Sequence, residues 1–134
     1  MKTTFVPLED VLVIHELIIE TGKGKAGIRD FSLLHSALFR PQASFGGEDL
    51  YPTLFDKASA LIHYLLLNHS FNAFNDANKI TALATTERFL NINGLVVSAS
   101  QKQKIQFILD IESKKLNPEK ISKWLKSHCK RQNN

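Results

Sequence analysis

Residues 53–67 form the segment that most limits what this chain can fold into. Apolar residues recur there at helical spacing, and the remaining helix faces are apolar as well. The main stripe consists of Leu54, Ala58, Leu61, Ile62, Leu65 and Leu66, with Ala60, Tyr64 and Leu67 on the other faces. A helix that is apolar nearly all round has to be covered on every side. The segment therefore predicts a central helix of a bundle, with residues 58–67 as its most buried part.

Helical spacing and capping residues predict five further helices around this one. The first spans residues 7–21, and the second begins at Asp30 and stops before Pro41. The third, which follows the central helix, begins at Asn75 or Asp76 and stops at Gly94. The fourth begins at Ser98 or Ser100, and the fifth begins at Asn117. Residues 42–52 contain two glycines and no clear periodicity, which indicates an exposed flap loop. Residues 95–97 are β-prone but too few to predict a sheet. The predicted fold class is all-α: a single domain over residues 1–134, built as a compact bundle of about six helices.

Composition narrows the class of protein. The chain has 134 residues and a net charge of +4. Because it has a single cysteine, it forms no internal disulfide, which favours a reducing compartment. No apolar stretch reaches the ~20 residues needed to cross a bilayer, so we expect a soluble, cytoplasmic protein with no membrane partner. The C-terminal cations alternate with apolar positions, which indicates a solvated helix face rather than a nucleic-acid footprint. These cations are Lys114, Lys115, Lys120, Lys123, Lys126, Lys130 and Arg131.

The link between the central helix and the next one carries the candidate chemistry. A helix N-terminus offers unpaired N–H groups and the positive end of a dipole, so Ala77, Asn78 and Lys79 can present donors to a phosphate. Asp76 offers the hard oxygen ligand that Mg²⁺ uses when it also binds substrate phosphates. His69 can take a proton from a hydroxyl near neutral pH.

Plainer interpretations of the same residue types stay open at this point. Asp76 serves equally well as a helix cap, and Asn78 as a turn residue. His63 lies within the apolar stripe, which favours a hydrogen-bonded core histidine. The remaining histidines, His15, His35 and His128, are too far apart in sequence to indicate a metal site.

The motif Phe74-Asn75-Asp76-Ala77-Asn78-Lys79, followed by Thr81-Ala82, resembles the motif of the Fic/Doc superfamily, and in particular of its Doc (death on curing) branch. Residues 27–30, 34–41, 46–53 and 89–94 are also similar to Doc proteins, so the likeness covers roughly residues 8–97. The resemblance implies the all-helical Fic/Doc fold. It also implies a toxin of a toxin–antitoxin pair, whose cognate antitoxin blocks the site with a short segment.

The motif departs from the family pattern in its spacing. The family motif begins with His-x-Phe. Counting back from Asp76 places Asn72 at the histidine position of this motif, whereas counting forward along the central helix places His69 there. The second count requires three extra residues, and residues 70–72 and 73–75 have the form of an in-frame duplication. We expect His69 to be the family's base, because insertions are tolerated in loops better than in a buried helix. Ile80 stands where the family usually has an arginine that holds nucleotide phosphates, and isoleucine donates no hydrogen bond.

The resemblance also implies a reaction. Fic proteins typically transfer AMP from ATP to a hydroxyl, whereas the Doc branch, with a lysine at the position of Lys79, phosphorylates a translation elongation factor. It therefore implies ATP-dependent phosphorylation of a protein target with Mg²⁺. His69 would activate the hydroxyl, Asp76 would hold Mg²⁺ or orient that hydroxyl, and Ala77, Asn78 and Lys79 would bind phosphates. Two alternatives remain: a catalytically weakened or inactive Doc-like protein that acts through binding, and an AMP transferase.

Overall fold

The computed structural model describes residues 2–21, 27–66 and 78–132. The described residues form six α-helices, one 3-10 turn and four short strands. The helices are α1 (Leu8–Glu20), α2 (Phe31–Phe39), α3 (Leu54–Leu66), α4 (Asn78–Ile92), α5 (Gln101–Ser113) and α6 (Pro118–His128). The 3-10 turn covers Arg40–Gln42, and the strands are β1 (Ser44–Phe45), β2 (Glu48–Asp49), β3 (Leu95–Val97) and β4 (Cys129–Arg131). The predicted all-α bundle of about six helices is confirmed.

Helix α3 lies at the centre of this bundle. It packs against α2, α4, α5 and α6, and eight of its thirteen residues are buried. Ile62 and Ala58 are completely shielded from solvent. Burial of a leucine or isoleucine side chain contributes about 1.5–3 kcal/mol, so the apolar side chains of α3 supply much of the core. The prediction of a central buried helix is confirmed for residues 58–66, and Leu67 falls outside the described part of the chain.

Side-chain caps set the starts of three of the predicted helices. The Asp30 carboxylate accepts a hydrogen bond from the Leu33 N–H at 3.0 Å. Ser100 forms a reciprocal capping box with Gln103, which decides between the two predicted serines. Asn117 caps α6 by accepting from the Lys120 N–H at 2.9 Å. After α4, Gly94 adopts φ +86°, a left-handed conformation that glycine takes without steric cost.

Two regions differ from the sequence-based expectation. Residues 44–49 of the predicted flap loop form a β-hairpin, with Gly46 and Gly47 both at positive φ in its turn. The flap is exposed as predicted. At the C-terminus, β4 pairs antiparallel with β3, so the short β-prone piece does form a sheet. This pairing joins segments more than thirty residues apart, which local sequence pattern does not reveal.

A buried lysine attaches the hairpin to α3. Lys57 is 4% exposed, and its ammonium donates to the Asp49 carboxylate at 3.1 Å and to the backbone carbonyl of Tyr51. A third acceptor, the carbonyl of Pro52, lies 3.5 Å away. A buried ammonium is tolerated only when hydrogen bonds replace its lost hydration. Lys57 therefore fixes the strand β2 and the residues after it against the start of α3.

Replacing Lys57 tests this attachment. We expect Lys57→Ala to lower the free energy of unfolding by about 1–3 kcal/mol, because the carbonyls of Tyr51 and Pro52 lose their donor and the buried lysine side chain loses its packing. Urea unfolding monitored by circular dichroism measures the change. The matched control, Lys102→Ala at an exposed position of α5, should stay within about 0.5 kcal/mol of the wild type. Equal effects of the two substitutions would contradict the role given to Lys57.

The prediction of a hydrogen-bonded core histidine at position 63 is only partly right. The His63 ring is half-buried and packs edge-on against Tyr64. Its Nδ1 atom is buried and has no hydrogen-bond partner among the described residues. Burial lowers the pKa of His63 below its usual value of 6.5, because the charged ring loses hydration.

This lowered pKa predicts a pH dependence of stability. A histidine whose pKa is lowered in the folded state is protonated more readily in the unfolded chain. The stability that His63 contributes is therefore fully present above pH 6.5 and is lost as the pH falls through the pKa of the folded state. We expect the free energy of unfolding to fall between about pH 7 and 5, by less than about 1.4 kcal/mol per pH unit from this group. His63→Gln should flatten that part of the curve, with His35→Gln as the exposed control. An unchanged curve for His63→Gln would contradict the assignment.

Candidate active site

The first turn of α4 is the described part of the predicted phosphate site. Asn78 is the first described residue of α4 and is half-buried, and Lys79 follows with its side chain 54% exposed. The predicted helix start at Asn75 or Asp76, where N–H groups and the helix dipole would favour an anion, lies outside the described residues and stays a prediction. The residues predicted as base, metal ligand and first phosphate donor, His69, Asp76 and Ala77, lie outside the described ranges, as does Asn72.

Helix α4 is firmly anchored behind this turn. It packs against α1 and α3 and buries Thr81, Ala82, Phe89 and Leu90 among its side chains. At its other end, Asn93 donates to the Phe89 carbonyl and the Thr4 carbonyl, both at 2.7 Å, and accepts from the Thr4 N–H at 2.9 Å. The N-terminal segment is thereby attached to the end of α4. These contacts hold the first turn of α4 in a fixed position relative to α3.

Lys79 already has a partner in the described structure. Its ammonium lies 3.1 Å from a carboxylate oxygen of Glu112, near the end of α5. Both side chains are partly exposed, so the pair contributes only ~0.2–1 kcal/mol. A phosphate that binds at the α4 N-terminus would compete with Glu112 for the same ammonium. Glu112 was missed by sequence analysis, because it lies 33 positions after Lys79 and on a different helix.

Ile80 lies beside these residues and is 43% exposed. Its side chain therefore contributes little to the core. The position faces solvent in the first turn of α4, where an arginine side chain could reach a phosphate and an isoleucine cannot hydrogen-bond to one. The isoleucine at position 80, where the family usually has an arginine, therefore changes the candidate site rather than the packing of the core.

The flap hairpin is held along the same central helix. Besides the Lys57 contacts, the Arg40 guanidinium donates to the Tyr51 hydroxyl at 3.0 Å and lies over the Tyr64 ring, 4.6 Å from its centroid. Tyr64 belongs to the last turn of α3, which leads into the segment that contains His69. The hairpin itself is thus attached to α3 through Asp49, and its flanking residue Arg40 contacts the last turn of α3. Phe45 at its tip is 82% exposed and free to meet a partner surface.

The described residues contain neither a cluster of metal-binding side chains nor a membrane-spanning helix. Across residues 2–21, 27–66 and 78–132, no group of three or more His, Cys, Asp or Glu side chains is placed to hold a metal ion. The predicted Mg²⁺ ligand, Asp76, lies outside these ranges. In the same part of the chain, every helix is too short or too polar to cross a membrane.

Comparison with known proteins identifies the family. The model of the Fic/DOC family matches residues 5–90, which include α1 to α3, the flap hairpin and most of α4. The chain belongs to the Fic/DOC family. It is also 42% identical over 97 residues to a protein named Toxin Doc from Mycolicibacterium smegmatis (strain ATCC 700084 / mc(2)155), a match that covers 72% of this chain and 70% of that protein. The resemblance to the Doc branch is confirmed.

The Fic/DOC match spans the junction of α3 and α4, which contains the motif residues 74–79 of the sequence. The two described residues of this motif, Asn78 and Lys79, belong to α4. The match ends within α4, so α5, α6 and the sheet of β3 and β4 lie beyond it. Glu112, the partner of Lys79, belongs to this additional part.

The contact between Lys79 and Glu112 yields a prediction about nucleotide binding. Glu112→Gln should strengthen ATP binding by about two- to fivefold, because the Lys79 ammonium no longer has a competing carboxylate. Asp110→Asn removes a carboxylate from the same helix, where it pairs with Lys114, and should leave the affinity unchanged. NMR titration that follows the amides of Asn78 and Lys79 measures both. Weaker ATP binding by Glu112→Gln, or amides that do not shift at millimolar ATP, would contradict the competition.

Proposed function

We propose that this Fic/DOC protein is a Doc-type toxin that transfers the terminal phosphate of ATP to a hydroxyl of a protein target. The observation that carries the proposal is Lys79 at the first turn of α4, directly after Asp76-Ala77-Asn78 in the sequence. A lysine at this position is the feature by which the resemblance separates the phosphorylating Doc branch from AMP-transferring Fic proteins. The relative named Toxin Doc supports the toxin role.

The exposed ammonium and the helix N-terminus suit the phosphates of ATP. In phosphoryl transfer, the protein contributes mainly by positioning the reactants and neutralising charge. Lys79 and the N–H groups of Ala77 and Asn78 hold the phosphates in this proposal. Asp76 holds Mg²⁺, which supplies positive charge beside the phosphates when bound, or it orients the target hydroxyl. His69 accepts the proton of that hydroxyl as its oxygen attacks the γ-phosphorus, while the bond from this phosphorus to the bridging oxygen breaks and ADP leaves.

The partners follow from the same assignment. The proposed target is a translation elongation factor, and the exposed flap hairpin is the proposed contact surface for it. A cognate antitoxin is the proposed inhibitor and would cover the start of α4 with a short segment. We place the protein in the cytoplasm, where a translation factor is available, and propose no membrane or nucleic-acid partner.

Ile80 supports a second candidate function. Because this exposed position lacks the usual arginine, one charge-assisted contact to the nucleotide is missing, which is worth ~1.5–3 kcal/mol. A Doc-like protein that keeps the partner surfaces but has weak or no transferase activity is consistent with this loss. AMP transfer is the less favoured alternative, since Lys79 occupies the position that marks the Doc branch.

Substitutions at the two candidate base positions test the proposal. We expect wild-type protein to transfer label from ATP to a protein in a cell lysate, and His69→Ala to lower the rate by ~10²- to 10⁴-fold because the general base is lost. Asn72→Ala should keep most of the activity, since an amide cannot accept a proton at neutral pH. Quantified labelled-ATP transfer measures all three proteins.

The same assay decides between the active and the inactive candidate. Transfer that survives His69→Ala would contradict the assignment of the base. A silent wild type that gains activity in Asn72→His would show that the chain uses the shorter motif spacing and is inactive as it stands. Circular dichroism of each variant controls for folding.

A further inference from the structure

A basic cleft lies at the other end of the α3–α4 pair from Lys79. It has a volume of about 760 Å³ and is formed by the start of α3, helix α6 and the sheet of β3 and β4. The C-terminal end of α4 is adjacent, because Leu54 and residues 92–94 line one neighbouring pocket. Lys79 lies near the opposite end of α4, thirteen residues before Ile92, or about 20 Å away at 1.5 Å per residue. The cleft is therefore separate from the candidate active site.

Four cations surround the cleft. Lys123 and Lys126 come from α6, and Lys130 and Arg131 from β4, and all four are exposed. None of the four forms an ion pair with any residue in the described ranges, whereas five other cations of the chain do. Like charges gathered around a concave surface repel one another and raise the local positive potential. An anionic ligand would relieve this repulsion.

The floor of the cleft is apolar. Leu54, Phe55 and Leu95 line it together with Cys129. Burial, and then the nearby charge of Glu87, raises the pKa of the Cys129 thiol to about 11, so the thiol stays neutral at physiological pH. A ligand that fits this cleft therefore needs apolar groups for the floor and negative charges for the rim.

Two carboxylates in the lining argue against a nucleic-acid strand. Asp56 accepts hydrogen bonds from the Ser122 hydroxyl at 2.8 Å and the Thr53 N–H at 3.3 Å. Burial raises the pKa of Asp56, but these hydrogen bonds outweigh it and hold the pKa below its usual value, so the group stays charged. Together with Glu119 it would repel a continuous row of phosphates, whereas the carboxylates of a peptide can be spaced so that they meet the four cations and avoid these two groups. Phe55 is the one aromatic side chain in the lining and is half-buried against the core, whereas single-strand nucleic-acid sites stack successive bases on several aromatic side chains.

We propose that this cleft binds an acidic, amphipathic peptide segment of a partner protein. Leucine-like side chains of the peptide occupy the floor over Leu54 and Leu95, and its carboxylates lie against Lys123, Lys126 and Lys130. Most of the lining lies beyond the residues that match the Fic/DOC family. The proposal therefore concerns a second interaction surface and is independent of the transferase activity.

Fluorescence anisotropy with a defined probe tests the proposal. The probe is a short fluorescein-labelled peptide in which leucine and glutamate alternate, and we expect micromolar binding that weakens as salt is added. Lys123→Glu combined with Lys126→Glu should weaken binding at least ~tenfold. The matched control, Lys102→Glu combined with Lys120→Glu, changes the net charge equally at exposed positions outside the cleft and should bind as the wild type does.

Further probes separate the possible ligands. A peptide with serine in place of leucine should bind more weakly, because the apolar floor is then unused. NMR titration should shift the amides of residues 122–130 and leave those of Asn78 and Lys79 unchanged. The proposal would be overturned by no binding at millimolar peptide, by equal losses in the two double variants, or by tighter binding of oligothymidylate at the same cations. Circular dichroism of both double variants confirms that they are folded.

Discussion

Burial of α3 is the constraint on which the rest of the structure depends. The helix packs against α2, α4, α5 and α6, so each of these elements takes its position from a shared surface. Its apolar faces exclude water on nearly every side, and Ala58 and Ile62 are fully buried. The helix also carries Lys57, whose ammonium attaches the flap hairpin, and Tyr64, over which Arg40 lies. Core, flap and candidate site are thus coupled through a single helix.

This arrangement places two surfaces at opposite ends of α3 and α4. The start of α4 presents Lys79, whose ion pair with Glu112 is weak enough for a phosphate to displace. The far end presents the basic cleft, where four cations have no ion partner among the described residues. A rigid, buried helix pair keeps the two surfaces about 20 Å apart, so each can hold its own ligand. The flap hairpin lies alongside and is fixed by buried polar contacts.

Most of the fold could be predicted because its signals are local. The apolar faces of α3, the caps at Asp30 and Asn117, and the glycine stop at Gly94 are each set by neighbouring residues. The pairing of β3 with β4 could not be predicted, because it depends on contacts between segments distant in sequence. Burial of Lys57 was missed for a related reason, since its partners belong to a hairpin that residue pattern alone did not reveal.

The candidate site could be predicted only in part. The family could be identified from the motif, and the family match supports this identification. The predicted start of α4 at Asn75 or Asp76 lies outside the described residues. The partner Glu112 is brought in by the packing of α5, which no motif records. Which of His69 and Asn72 occupies the family's base position depends on the motif spacing in a segment outside the described residues, and the variants of these two positions address it.

The most direct measurement of the central claim compares the two ends of the ATP phosphate chain. Purified protein is incubated with a cell lysate and ATP labelled either at the γ-phosphate or at the α-phosphate, and labelled proteins are identified by gel and mass spectrometry. Phosphoryl transfer predicts label from the γ position, with none from the α position, on a serine or threonine of one target. Label from the α position would instead show AMP transfer, and no label from either would show that this Fic/DOC protein acts through binding.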